Sequence, residues 1–207
     1  MNDKDNIAKS ESTEQKIKEA ARRVFTSKGY AGTRTRDIAE ESGYNLALIN
    51  YYFRSKEKLF EIIMMENLQL FIGSIIGMLN NEATSLDEKI DQLVTYYVDM
   101  LMVNPGIPVF ILNLVNNNPS ALFEGVLGGN TVSDTVFATQ FKEQMKKKKL
   151  TIHPLHLFMN IVSLTVFPFA SAPMIKAKNG ISDEEYNQLM LERKILIPKW
   201  IKVMMDM

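Results

Sequence analysis

The chain has 207 residues, 46% of them hydrophobic and 23% charged, with 10 Gly and 7 Pro. That composition excludes collagen-like, low-complexity and largely disordered classes, and the length suits one domain or two small ones, each with its own core. There is no Cys and only two His, His153 and His156, which removes disulfide scaffolds, thiolate zinc sites and cysteine nucleophiles and leaves little material for a Ser-His-Asp triad.

The formal net charge is zero, but it is partitioned. Residues 1–58 hold 12 of the 24 Lys+Arg and 9 of the 24 Asp+Glu, a net of +3, and the remainder carries −3. A basic head on an acidic body is the pattern of a DNA-binding segment joined to a separate sensing segment. The polar N-terminus, MNDKDNIAKSESTEQK, is not a secretory signal, and a cytoplasmic protein is expected.

Residues 1–11 lack an apolar period and read as a flexible lead. A helix is predicted from about Ser12, with a Ser12/Gln15 capping box and apolar positions at Ile17, Ala20, Ala21, Val24 and Phe25. Gly29 is expected to end it as a left-handed cap. Short helices follow over 35–42, stopped by Gly43, and over 45–53. Ser55 then opens a long helix over 56–80.

The pattern stays helical beyond that point. Ser85 and Glu88 form a capping box for a helix whose face includes Leu86, Ile90, Leu93, Tyr97 and Leu101. Asn104-Pro105 and Asn118-Pro119 read as helix starts, with Asn as cap and Pro at the first helical position. A helix from about Val132 ends in the lysine run 146–149, which reads as a solvated helix end, with an anion or DNA contact as the alternative. Ser182 and Glu185 open a final helix with a stripe of Tyr186, Leu189, Met190, Ile197, Trp200, Ile201 and Met204, and Pro198 is expected to kink it. With no alternating pattern and no repeat, the fold class is all-α.

Residues 100–123 and 150–175 contain no charged side chain. Their length would suit a membrane span, but asparagines, histidines and three prolines in each interrupt them. Buried or interface helices are the preferred reading, and no membrane partner is expected.

The segment 35–52 carries the function. Two short helices joined by a tight turn need a small residue at the crossing, here Ala39, and a residue tolerant of positive φ at the turn, here Gly43. Ile38, Tyr44, Ile49 and Tyr52 are spaced to fill the interior of such a helix-turn-helix. Asn45, Leu46, Ala47, Asn50 and Tyr51 then face outward on the second helix, the one that enters the major groove in such motifs. Asn50 suits a bidentate bond to adenine, and Leu46 and Ala47 suit thymine methyls. Arg34, Thr35, Arg36, Tyr52 and Lys56 suit phosphates.

Gly29-Tyr30, Thr33 through Arg36, Ile38-Ala39, Gly43, Ile49, Tyr52-Phe53 and Ser55-Lys56-Glu57-Lys58-Leu59 together resemble the tetracycline-repressor (TetR) family of bacterial transcription regulators over about residues 13–60. The resemblance implies a three-helix DNA-binding domain, a helical ligand-binding and dimerisation domain, and repression. The divisions expected are 1–55 and 56–207. Asn45 stands where the family commonly has Ser or Thr, and Asn50 where it commonly has Tyr, so no base preference is carried over.

In the body, all Met except Met1 lie from Met64 onward. Adaptable Met and aromatic side chains suit an apolar ligand pocket. Guided by the family's pocket between its middle helices, the expected lining is Tyr97, Met100, Phe110, Asn113, Phe137, Phe141, His156, Met159 and Asn160. His-Pro-Leu-His at 153–156 places His153 at a helix cap and offers no third ligand, so neither a metal nor a cofactor is expected. The resemblance also implies a dimer through the helix around 158–170 and the last helix.

The expected function is a sequence-specific repressor, not an enzyme, released from a palindromic operator by a small apolar or amphipathic effector. The same fold with a protein partner as effector, and a helical carrier, are the alternatives.

Overall fold

The computed structural model describes residues 3–117 and 131–206, and among these every regular element is helical. The Asn118-Pro119 start lies outside the described residues. The chain divides into two compact units, Met1–Asn67 and Leu68–Met207.

The first unit holds α1 (Asp3–Gly32), α2 (Thr35–Ser42), α3 (Leu46–Phe53) and the start of α4 (Lys56–Asn80). The expected lead is instead helical: α1 begins at Asp3, so Ser12 is interior and caps nothing. Gly29 interrupts α1 at φ 68, ψ 168. The sign of φ is as expected, but ψ lies far from the left-handed helical value, in a region that is essentially Gly-only. Ile17, Ala21, Val24, Phe25, Ile38, Ile49, Phe53, Leu59 and Ile63 form one buried cluster, with Ala39, Tyr44 and Tyr52 packed against it. Glu66 of α4 accepts from Lys18 at 2.8 Å and from Arg22, tying the far end of this unit back to α1.

The second unit contains the rest of α4, α5 (Leu86–Val103), α6 (Ile107–Asn117), a 3-10 turn at Val132–Asp134, α7 (Val136–Lys147), α8 (Pro154–Ala170), α9 (Ala172–Asn179) and α10 (Asp183–Met205). Helix α5 is its centre, packed by α7, α8 and α10. The predicted capping boxes open α5 through Ser85/Glu88 and α10 through Ser182/Glu185. Asn104, expected to open a helix, instead closes α5, its N–H donating to Met100 O at 2.9 Å, and α6 starts at Ile107. The predicted helix from Val132 begins as a 3-10 turn, and Thr135 caps α7 by accepting from Ala138 N. Helix α10 is continuous through Pro198. His153 Nδ1 accepts from Leu155 N at 3.2 Å and so caps α8.

The uncharged stretches are bent rather than straight: α5 and α6 meet at 95°, α8 and α9 at 63°. Helix α4 is long and apolar enough to cross a bilayer by length and composition, and a third of that window is buried inside the protein.

Candidate nucleic-acid interface

The site grows from two capped helices. Asp37 accepts the backbone N–H of Arg34 at 2.7 Å, closing the first turn of α2, and also pairs with Lys28 at 2.9 Å. Chiefly the Arg34 backbone bond, then Lys28, holds the Asp37 carboxyl below its ordinary range. Helix α2 ends at Gly43, φ 73 and ψ 12, a left-handed conformation that lets the chain turn at once into α3. Asn45 caps α3, its Oδ1 accepting from Leu48 N at 2.9 Å. Asn stands where Ser or Thr is common, and the capping chemistry is preserved.

Burial then sorts the faces. Ile49 and Phe53 are buried, and Tyr44, Leu46, Leu48 and Tyr52 are half-buried. Asn45, Ala47, Asn50 and Tyr51 are exposed, Tyr51 at 79%. Tyr51 meets Tyr52 edge-on at 5.3 Å. Arg34 and Arg36 are exposed beside the start of α2, with Thr35 half-buried between them. Nine of the ten side chains anticipated at a DNA surface thus cluster on α3 and the entry to α2.

Lys56 is placed differently. Its ammonium donates to Tyr30 O and Thr33 O, both at 3.1 Å, and lies 4.2 Å from the centre of the Tyr30 ring. It holds the corner between α1 and α2, supported by Thr33 Oγ1 donating to Gly29 O at 2.7 Å. Tyr30 OH donates to Glu57 at 3.0 Å. Burial first, and then this bond, raise the Tyr30 phenol above its ordinary value. One cation was not anticipated: Arg54, exposed and at φ 63, follows directly on α3 with its N–H on Asn50 O. Its signal in the sequence is an Arg between buried Phe53 and the Ser55 that opens α4.

In the second unit the nine anticipated pocket residues divide between interior and surface. Tyr97, Phe137 and Phe141 are buried, and Met100 and Phe110 are half-buried. Asn113, His156, Met159 and Asn160 are exposed. The inward phase of α8 is Leu157, Ile161, Thr165 and Pro168, which turns residues 156, 159 and 160 outward. Two clefts among the described residues, of about 360 and 420 Å³, are lined by other side chains.

Residues 17–63 match the family model described as "Bacterial regulatory proteins, tetR family". The chain is 27% identical over 161 residues to "Probable HTH-type transcriptional regulator YttP" of Bacillus subtilis (strain 168), covering 76% of this chain and 77% of that protein. It is 30% identical over 93 residues to "HTH-type transcriptional repressor NicS" of Pseudomonas putida KT2440, covering 45% and 43%. Its fold is similar to that of the transcriptional regulator FadR from Bacillus subtilis, solved in complex with stearoyl-CoA, with a TM-score of 0.58, 16% identity, and 90% and 96% of the two chains covered.

Proposed function

We propose, from the premise that this chain belongs to the tetR family of bacterial regulatory proteins, that it is a homodimeric repressor released from a palindromic operator by a small apolar or amphipathic effector. The observation that carries this reading is the free outer face of α3, where Ala47, Asn50 and Tyr51 stand exposed above a fully packed interior. Asn50 reads adenine, Leu46 and Ala47 meet thymine methyls, and Asn45 fixes the start of the helix over the bases. Arg34, Thr35, Arg36 and Tyr52 fix register on phosphates, with Arg54 added to them and Lys56 acting by holding the corner.

The dimer surface is on α8 and α10. Leu155, Met159 and Phe167 of α8 and Leu189, Leu196, Trp200 and Val203 of α10 are exposed large apolar side chains. Leu189, Leu196, Trp200 and Val203 follow one face of α10, with Leu191 and Ile195 exposed off it, and burying such a patch against a second copy is its simplest physical outcome. Two recognition helices then read half-sites roughly 34–36 Å, or a multiple of that, apart. The effector acts by binding the DNA-incompetent arrangement more tightly than the competent one, with Tyr97, Phe137 and Phe141 the anticipated pocket residues that lie in the interior. As a regulator of genes it works in the cytoplasm, alongside the DNA.

The test is selection of genomic fragments with the purified protein, followed by binding across a salt series. A palindrome enriched with affinity falling steeply in salt is the expected result. No enrichment at low salt overturns the proposal.

A further inference from the structure

We infer that the carboxyl end of α7 carries a site for an amphiphile with a phosphate head, an inference that rests on the effector-binding reading above and names the chemistry of an effector. A cleft of about 360 Å³ there is lined by Lys142, Lys146 and Lys149 together with Met145, Leu150 and Ile152. Its size falls in the range of small-molecule sites.

Three observations point to an anion. Lys142 and Lys146, four apart, share one side of the helix end, and Lys149, in the turn beyond it, lines the same cleft. All three are exposed, and among the described residues none has an acidic partner. Their neighbour Lys148 is different: it donates to Met205 O at 2.6 Å and to Asp206 at 2.8 Å, so it is spent on joining α7 to the end of α10. A helix dipole favours cations in the last turn only, which accounts for Lys146 but not for Lys142 before it or Lys149 beyond it.

Lys149 has a second peculiarity. It adopts φ 58 in the turn that closes α7, where Leu150 N–H donates to Met145 O and Lys149 N–H to Lys146 O, both at 3.0 Å. Glycine is the usual residue at that position of a helix end, because a side chain there is strained. That turn puts a third lysine on the cleft. Uncompensated like charges over a concave wall focus potential on whatever enters, and Lys is a point-charge partner suited to phosphate. The apolar Met145, Leu150 and Ile152 match an alkyl or acyl portion next to that head.

Calorimetric titration of the full-length protein with sodium pyrophosphate, with dodecyl phosphate below its micellar concentration, and with dodecyltrimethylammonium tests this. Dodecyl phosphate should bind more tightly than pyrophosphate, and the cationic amphiphile should not bind. K142Q/K146Q should weaken dodecyl phosphate about tenfold or more. Lys149→Gly should weaken it too while raising Tm, a combination that a purely structural lysine would not give. Equal binding of the cationic amphiphile, unchanged affinity in both variants, or pyrophosphate binding as tightly as dodecyl phosphate overturns the site. Binding of the selected genomic fragment is read on the same samples without ligand. Loss of that binding in K142Q/K146Q makes the lysines a DNA contact and overturns the site. Failure of the wild type to bind any fragment while it still binds dodecyl phosphate overturns the repressor reading and leaves the site standing.

Discussion

Tyr51 projects 79% of its surface from α3 and touches little but Tyr52. Tyr51→Ala should therefore leave the melting curve within about 0.5 kcal/mol of wild type, while affinity for the selected operator falls by about 1–3 kcal/mol. Melting and fluorescence anisotropy on one preparation check both halves. Lys89 is the opposite kind of residue. It is fully buried, and its ammonium donates to Asn81 O and Thr84 O at 2.6 Å and to Thr84 Oγ1 at 2.9 Å, fastening the 81–85 loop to α5. Lys89→Met removes all three of these bonds, while Thr84 O keeps Gln140 Nε2 at 2.8 Å and Asn81 O keeps the Thr84 hydroxyl at 3.2 Å, and should destabilise the chain by about 1–2 kcal/mol, measured by urea denaturation. Burial also holds the Lys89 pKa below its ordinary value. The unfolded chain therefore keeps that proton to higher pH than the folded one, so wild type should gain stability over Lys89→Met as pH rises between the two values. Neither the role of Lys89 nor that of Lys56 was legible in the sequence. Each ammonium is satisfied by backbone carbonyls, and nothing in a residue type announces which carbonyls will meet it.

Helix ends were the most legible elements because their chemistry is local. Asn45, Gly43, Ser85/Glu88 and Ser182/Glu185 act within three residues of the turns they close. Asn104-Pro105 was misleading for a related reason, since the pair suits a helix start and a helix end alike. The inward face of α8 was illegible because the helix is apolar on most sides, so its phase depends on which neighbours it meets. Glu88 makes the capping prediction quantitative in sign. The Ser85 backbone bond, then the Ser85 hydroxyl, hold its carboxyl below the ordinary value. Its contribution is full above the unfolded pKa and lost as pH falls through the folded one. Glu88→Ala should thus flatten the acid side of the stability–pH curve and leave a smaller difference from wild type in strong acid, as followed by circular dichroism.

At the scale of the whole molecule, the proposed dimer rests on the exposed apolar side chains of α8 and α10. Phe167 is 62% exposed and Trp200 40% exposed, and Arg193 lies over the Trp200 ring at 5.4 Å while donating to Leu164 O. Trp200→Glu places a charge in that surface. Light scattering should find it monomeric where wild type is dimeric, and operator binding should lose its two-half-site character. A dimeric Trp200→Glu would move the interface elsewhere. Charge partition and motif divide the chain at 55/56, and its compact units part at 67/68, inside α4; charge and motif are properties of sequence alone. A pocket is not, because its walls come from helices far apart in the chain.

The bend at Gly29 sets a different kind of limit. A side chain built there would meet nothing within 4 Å, and the same holds at Gly43, so neither position is guarded by crowding. They differ in backbone alone: Gly43 is left-handed helical, a conformation Asn also visits, whereas φ 68, ψ 168 at Gly29 is open essentially to Gly only. In a saturation library scored for repression, position 43 should admit Asn among its survivors. Position 29 should admit no alternative, large or small, polar or apolar. One peptide unit, with empty space around it, would then be the least negotiable letter in the head.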